Sequence, residues 1–479
     1  MEKIVRRRGR KRSSIGWIVL LLFIFGIVGA GTIYLYTADE FEQVPPKIEM
    51  PKYSYWNTKD PLKVVLSDNV GIKHYQITLS DGVKEVVVAR ADNLTDTKRK
   101  TILVKYPKAG LDRKAKVLYL NVAVGDSSKW NYLSGNEVTQ KIPLKIDYRR
   151  PNVNIVSNSY SVTQGGSALV IFQASDDDKL SELYVEAANH KFKVQPYKKS
   201  GYFVSLIAWP FREDSFQAKV VAQDRAGNKR AAVIPFYVKK RKYRTSTIRA
   251  SDKFIDGKIT DLAEQDSKYM KADRLERLKA VNETMRIDNE NLIHKYTSNL
   301  SNEMLDSWKI KKFYPLKNGK KVANFGDHRY YYYKKKSNII SESYHLGYDM
   351  ASTKMAPIVS SNSGKIVFSD YNGIYGNMPI IDHGLGLYTL YGHCSTVDVK
   401  EGDEIKAGET IAKTGMTGLA LGDHLHFGIL VQGIEVRPVE WLDSKWIRDN
   451  INKIFNDADE IIVGTSKKTN AIKVSDSKK

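Results

Sequence analysis

The chain has a single cysteine, Cys394, among its 479 residues, so it has no internal disulfide and each domain must be held by its own core. Motifs for binding nucleic acid are absent too. The formal net charge is +22, but the basic residues are spread along the chain. That argues for no nucleic-acid partner and for attraction to an anionic membrane or wall polymer. Sustained heptads are missing, which weighs against a dimerising coiled coil. A second apolar run long enough to cross a bilayer is also missing. With 42% hydrophobic and 27% charged residues the composition is that of a folded globular protein rather than a disordered one. Its length predicts about three folded units.

The one long apolar run extends from Ser13 to Ala38, behind Lys3, Arg6, Arg7, Arg8, Arg10, Lys11 and Arg12. Roughly 20 helical residues cross the hydrocarbon of a bilayer, so this run spans it with some to spare. Trp17 near one end and Tyr34 and Tyr36 near the other suit the aromatic belts of the two interfaces. By the positive-inside rule the basic cluster stays in the cytoplasm and everything after Ala38 is sent across. The expectation is a single-pass membrane protein with most of its chain outside the cytoplasm, in a periplasm. A cleaved signal peptide is the alternative, but its apolar region would be about 7–15 residues long and end in a small-residue site. Gly29-Ala30-Gly31 is a poor site of that kind, and apolar residues continue to Leu35.

The fold class read from the pattern is mainly β. Residues 46–148 and 149–240 show short alternating strands, among them Lys73–Leu79, Val117–Val124, Ile142–Ile146, Ala218–Ala222 and Ala231–Val238. Each unit is about 100 residues long, which predicts two immunoglobulin-like sandwiches. Residues 255–312 change period: Leu275, Leu278, Val281 and Met285 fall at helical spacing, and Asp261 with Glu264 is a start signal. One or two helices packed on a neighbouring domain are expected there. Residues 313–443 form the next domain, and 444–479 read as a polar tail whose end, Lys467–Lys479, has too few apolar residues to fold.

Six of the nine histidines, at 328, 345, 383, 393, 424 and 426, lie within one hundred residues. Three segments stand out: His345-Leu346-Gly347-Tyr348-Asp349, Tyr391-Gly392-His393, and His424-Leu425-His426-Phe427. In a strand, alternate side chains share a face, so His424 and His426 project together. They can share a metal, or one can bind it while the other moves protons. His345 and Asp349 add a nitrogen and a hard oxygen. Two histidines and a carboxylate are a ligand set for catalytic zinc, with the fourth position left to water, whose pKa falls to about 7 on the metal. His328 and His383 sit in no paired motif and read as ordinary histidines. Cys394 reads as a small buried thiol.

These segments, in this order, resemble the lysostaphin-type zinc metallopeptidases, which cleave peptide cross-links of bacterial peptidoglycan. Phe325-Gly326, Ile381-Asp382-His383-Gly384 and the run from Val399 to Gly408 extend the likeness to about 130 residues. The resemblance implies a small antiparallel β domain with its site in a groove. It implies one zinc ion held by His345, Asp349 and His426, with His424 as general base and His393 assisting the tetrahedral intermediate. Asp423 departs from the family, where proline is common, and bears on substrate preference. Some relatives have lost ligands and control other wall hydrolases; here the whole set is present. The run Gly402–Glu409 also resembles lipoyl and biotinyl carriers, a reading that would leave the histidines unexplained.

Overall fold

The computed structural model describes residues 14–51, 54–95 and 97–475. The basic cluster at 3–12 lies outside them, as do the last four residues. The chain divides into two compact units, Met1–Arg149 with Arg225–Asn228, and Arg150–Asp224 with Lys229–Lys479.

The first unit opens with the helix Ser14–Thr37. Its stretch Ile15–Thr37 is long and apolar enough to cross a membrane, with a mean hydropathy of 2.5 and no part buried against protein. The rest is β. One antiparallel sheet joins Lys47–Glu49, Leu62–Ser67 and Arg99–Val104. A five-stranded sheet follows the order Ser54–Trp56, Glu137–Ile146, Val117–Asp126, Ile72–Ser80, Glu85–Ala91. Alternation in these strands turns Val64, Leu66, Ile77, Leu79, Leu120, Val122, Ile142 and Leu144 into one core, all fully buried.

The second unit begins with two four-stranded sheets, built around Ser167–Ser175 with Tyr202–Ala208 and around Leu180–Ala187 with Ala218–Asp224. The strand expected at Ala231–Val238 is interrupted. Lys229–Val233 continues the second of these sheets, whereas Tyr237–Lys239 pairs in parallel with Ser161–Thr163. Pro235 lies between them and has no N–H to give a ladder.

A seven-strand path then runs Lys320–Ala323, Tyr348–Ala351, Leu425–Val431, Leu387–Gly392, Asn377–Asp382, Gly364–Tyr371, Glu404–Ile405. Both faces of this sheet are covered, which is why Phe427-Gly428-Ile429-Leu430-Val431 is uniformly apolar. Leu425, Phe427, Ile429 and Val431 join a core shared with Trp209, Phe313 and Trp441. Ile380, Tyr388, Leu390 and Leu430 point the other way, onto Ile255, Ile259, Leu278, Val281, Met285 and Ile293 of the helical segment.

That helical segment occupies 252–263 and 274–297, so residues 298–312 of the expected stretch are not helical. Its start differs from the one read at Asp261. Ser251 accepts the Phe254 N–H at 3.3 Å and caps the first helix ten residues earlier. Asp273 accepts from Leu275 and Glu276 and caps the second. The polar tail is also corrected: residues 444–475 are helical. Ile447, Ile451, Ile454, Phe455, Ala458 and Ile462 form a buried stripe at helical spacing within an otherwise charged segment.

Just before the helical segment, Thr245–Arg249 pairs in parallel with Asp327–Tyr332, which in turn pairs antiparallel with Ile339–His345. Chain from well upstream is thereby built into the neighbourhood of His345.

Candidate metal centre and active site

Register places the key side chains. Tyr348–Ala351 lies antiparallel to Leu425–Val431 with Asp349 opposite His426, so the carboxylate and the imidazole meet on one face. His345 ends the preceding strand, and Leu346-Gly347 returns the chain so that His345 and Asp349 converge. On the other side of Leu425–Val431, Gly392 is opposite His426. His393 follows at φ 65°, a left-handed conformation uncommon for residues with a side chain but more accessible to histidine than to most.

Three donor atoms meet. His345 Nε2 lies 2.9 Å from Asp349 Oδ1 and 3.1 Å from His426 Nδ1, and His426 Nδ1 lies 2.9 Å from the same carboxylate oxygen. Ligands around a tetrahedral metal at ordinary zinc distances sit about 3.4 Å apart, so this triangle is slightly contracted. The His345 Nδ1–H donates to the Asn324 carbonyl at 2.8 Å. Its Nε2 therefore turns a lone pair toward a carboxylate oxygen, two acceptors facing each other at hydrogen-bond distance. A cation in the triangle satisfies both, and a backbone carbonyl behind a histidine is the usual means of fixing a metal-binding tautomer. The donor set fits a divalent metal such as zinc.

Asp349 is 6% exposed. Burial alone would raise its carboxyl, but His345 and His426 more than offset this and hold it well below the usual range. Burial also drives the His426 imidazole down to about 4, against the pull of Asp349. His393 is pushed well below its ordinary value, first by burial and then by the neighbouring imidazoles. Both rings are accordingly neutral at pH 7, with lone pairs free.

His424 and His393 stand beside the triangle with ring centroids 4.8 Å apart. The His424 Nδ1–H donates to Gly422 O at 2.7 Å, and its Nε2 is 3.7 Å from Asp349 Oδ2. The His393 Nδ1–H donates to Thr417 O at 2.9 Å. The structure thus brings His345, Asp349, His393, His424 and His426 together. It does not bring His328 there, which stacks on Tyr344 at 4.1 Å and faces Glu342. Nor does it bring His383, which is buried, donates to Ser363 O and is pushed down to about 4 by burial. Cys394 is fully buried, with its thiol pushed up to about 12.

Sequence reasoning missed Arg329, whose Nη2 is 4.0 Å from Asp349 Oδ2 and whose Nε is 3.4 Å from Asp327. It missed other parts of the lining as well. The cavity over the histidines, about 410 Å³, is lined also by Arg249, Ser251, Phe254 and Arg286. The β-branched residues Thr245, Thr247 and Ile248 are the one sequence signal of the strand that carries Arg249.

Residues 343–438 match the model for peptidase family M23. The C-terminal region is a domain of that family, the lysostaphin type. Among curated relatives, the DD-carboxypeptidase/endopeptidase Mpg of Neisseria meningitidis serogroup B is 39% identical over 95 residues, 20% of this chain and 22% of its own. The peptidoglycan DD-endopeptidase ShyB of Vibrio cholerae is 38% identical over 96 residues, 20% and 22% of the two chains. The murein hydrolase activator NlpD of Salmonella dublin is 34% identical over 129 residues, 26% and 30%. This chain therefore spans between 22% and 30% of the length of these relatives. Among solved structures, the catalytic domain of lysostaphin from Staphylococcus simulans aligns over 26% of this chain and 93% of its own at 29% identity, with a TM-score of 0.22.

Proposed function

We propose that this protein is a membrane-anchored zinc metalloendopeptidase that cleaves peptide cross-links of bacterial peptidoglycan outside the cytoplasm. The observation that carries the reading is the convergence of His345 Nε2, Asp349 Oδ1 and His426 Nδ1, with two further imidazoles beside them. Zinc held by those three atoms would supply a Lewis acid and an acidified water.

The remaining chemistry belongs to the chain. His424, with Nδ1–H given to Gly422, keeps a lone pair on Nε2 and takes the proton of the attacking water there. The imidazolium so formed faces Asp349 Oδ2, whose charge stabilises it. His393, with its Nδ1–H fixed on Thr417, presents Nε2 to the same space and stabilises the tetrahedral intermediate. The helix Ile15–Thr37 would be the anchor.

A second reading, control of other wall hydrolases, is favoured only by the relatives named as murein hydrolase activators. The complete set of five side chains supports the enzyme. Purified protein should contain one zinc per chain and release peptides from purified peptidoglycan, and Asp349→Ala should lose both. Wild-type protein that holds zinc but releases nothing would favour the activator.

A further inference from the structure

Two further arginines line the cavity that holds the histidines. Arg249 ends the strand Thr245–Arg249, and Arg286 lies in the helical stretch 274–297; both line the cavity that holds His424 and His426. The Arg249 side chain is exposed and makes no hydrogen bond or ion pair among the described residues. Arg286 is held in place from behind. Its Nε and Nη2 donate to Asn282, to the carbonyl at 3.0 Å and to Oδ1 at 3.1 Å. Asn282 is itself 1% exposed and donates to Ser341 Oγ at 2.8 Å and to Glu342 O at 3.3 Å. The guanidinium is thus pre-set by neutral partners, with its remaining N–H groups uncommitted. Glu290, one turn on, makes no ion pair with it, and one of its carboxylate oxygens is buried without a partner.

The acids of the cavity do not neutralise these arginines. Asp349 is taken up by the imidazoles, and Asp423 accepts from Met355 N at 3.1 Å and from the Thr414 hydroxyl at 2.5 Å. A fixed guanidinium and a free one, lining the same cavity as a peptide-cleaving centre, match a planar anion carried by the substrate.

We propose that Arg249 and Arg286 bind a carboxylate of the substrate peptide, so that the site selects acidic peptides, with a free carboxylate flanking the scissile bond, over neutral or amidated ones. The proposal rests on the peptidase reading above. Its test uses the zinc-loaded full chain and two synthetic cross-linked peptides that differ only in whether that carboxylate is free or amidated.

The wild type should cleave the free acid with the higher kcat/KM. Arg249→Gln and Arg286→Gln should each lower kcat/KM for it by about tenfold or more, mainly through KM, and leave the amide unchanged. Arg286→Lys, which keeps the charge and the packing stem, should recover part of the loss. Equal cleavage of both peptides by the wild type would overturn the proposal while leaving the peptidase intact, as would arginine variants that slow both peptides equally. Cleavage of neither peptide by zinc-loaded wild type would overturn the peptidase reading itself, and this proposal with it.

Discussion

Gly347 sits between the first two predicted metal ligands, and its backbone does not need glycine's freedom: it is absent from the residues with positive φ. Its role is space. A Cβ at this position would stand 2.4 Å from His426 Cε1 and 2.5 Å from His426 Nε2, where ordinary contacts begin at 3.4 Å. The ring would have to retreat by about 1 Å, and it has close neighbours to retreat against: His345, Tyr375 and His393 stand edge-on to it with ring centroids 4.9, 5.4 and 5.7 Å away. Metal–nitrogen distances tolerate only about 0.2 Å. Gly347→Ala should therefore cost zinc affinity at least about 10–100-fold, the size of effect seen when a ligand's support is lost, or about 1.4–2.8 kcal/mol. Competition with a chelator of known affinity measures this, and circular dichroism checks that the variant is folded. A folded Gly347→Ala protein with wild-type zinc affinity would refute the reasoning, because His426 Nδ1 could then not be a ligand pinned by its neighbours.

Within the strand that carries both histidines, His424→Ala should keep zinc and lose turnover by about 10²–10⁴-fold, while His426→Ala should lose both; metal content and product release on the two purified variants read the contrast, and the reverse pattern would exchange the roles. Burial pushes the Glu290 carboxyl up to about 7 from an ordinary 4.5, with Arg286 pulling the other way. The folded state thus favours the protonated acid, and this contribution to stability is complete below about 4.5 and lost as pH rises through about 7. Glu290→Gln should match the wild-type unfolding midpoint at pH 4.5 and exceed it at pH 8, and equal midpoints at pH 8 would contradict this. His383→Ala removes a buried ring packed on Phe313 and should cost about 2–4 kcal/mol in denaturant unfolding while leaving zinc content intact.

The histidine segments were legible because period-two alternation alone puts His424 and His426 on one face, and their order with His345 and Asp349 is distinctive. What alternation cannot give is register: Asp349 stands opposite His426 only because two strands 77 residues apart align so. The glycine of the first segment had a reason no local rule contains, the room needed by a ring from the third. The C-terminal segment was misread because averaged polarity hid the stripe from Ile447 to Ile462, which only a helical count reveals. Arg249 and Arg286 were invisible as site residues, since basic side chains so far upstream carry no mark of the cavity they line.

The parallel pairing of Thr245–Arg249 with Asp327–Tyr332 has a practical consequence for anyone shortening this protein. The strand Asp327–Tyr332 is central in its three-stranded sheet only while that earlier segment is attached. A fragment cut to begin near residue 313 would keep every histidine yet expose a bare row of N–H and C=O groups along a tyrosine-rich edge, Tyr330-Tyr331-Tyr332. Such an edge recruits further strands from solution. The recombinant domain would be sticky for reasons unrelated to its chemistry, and extending it upstream to Lys240 would cure the fault.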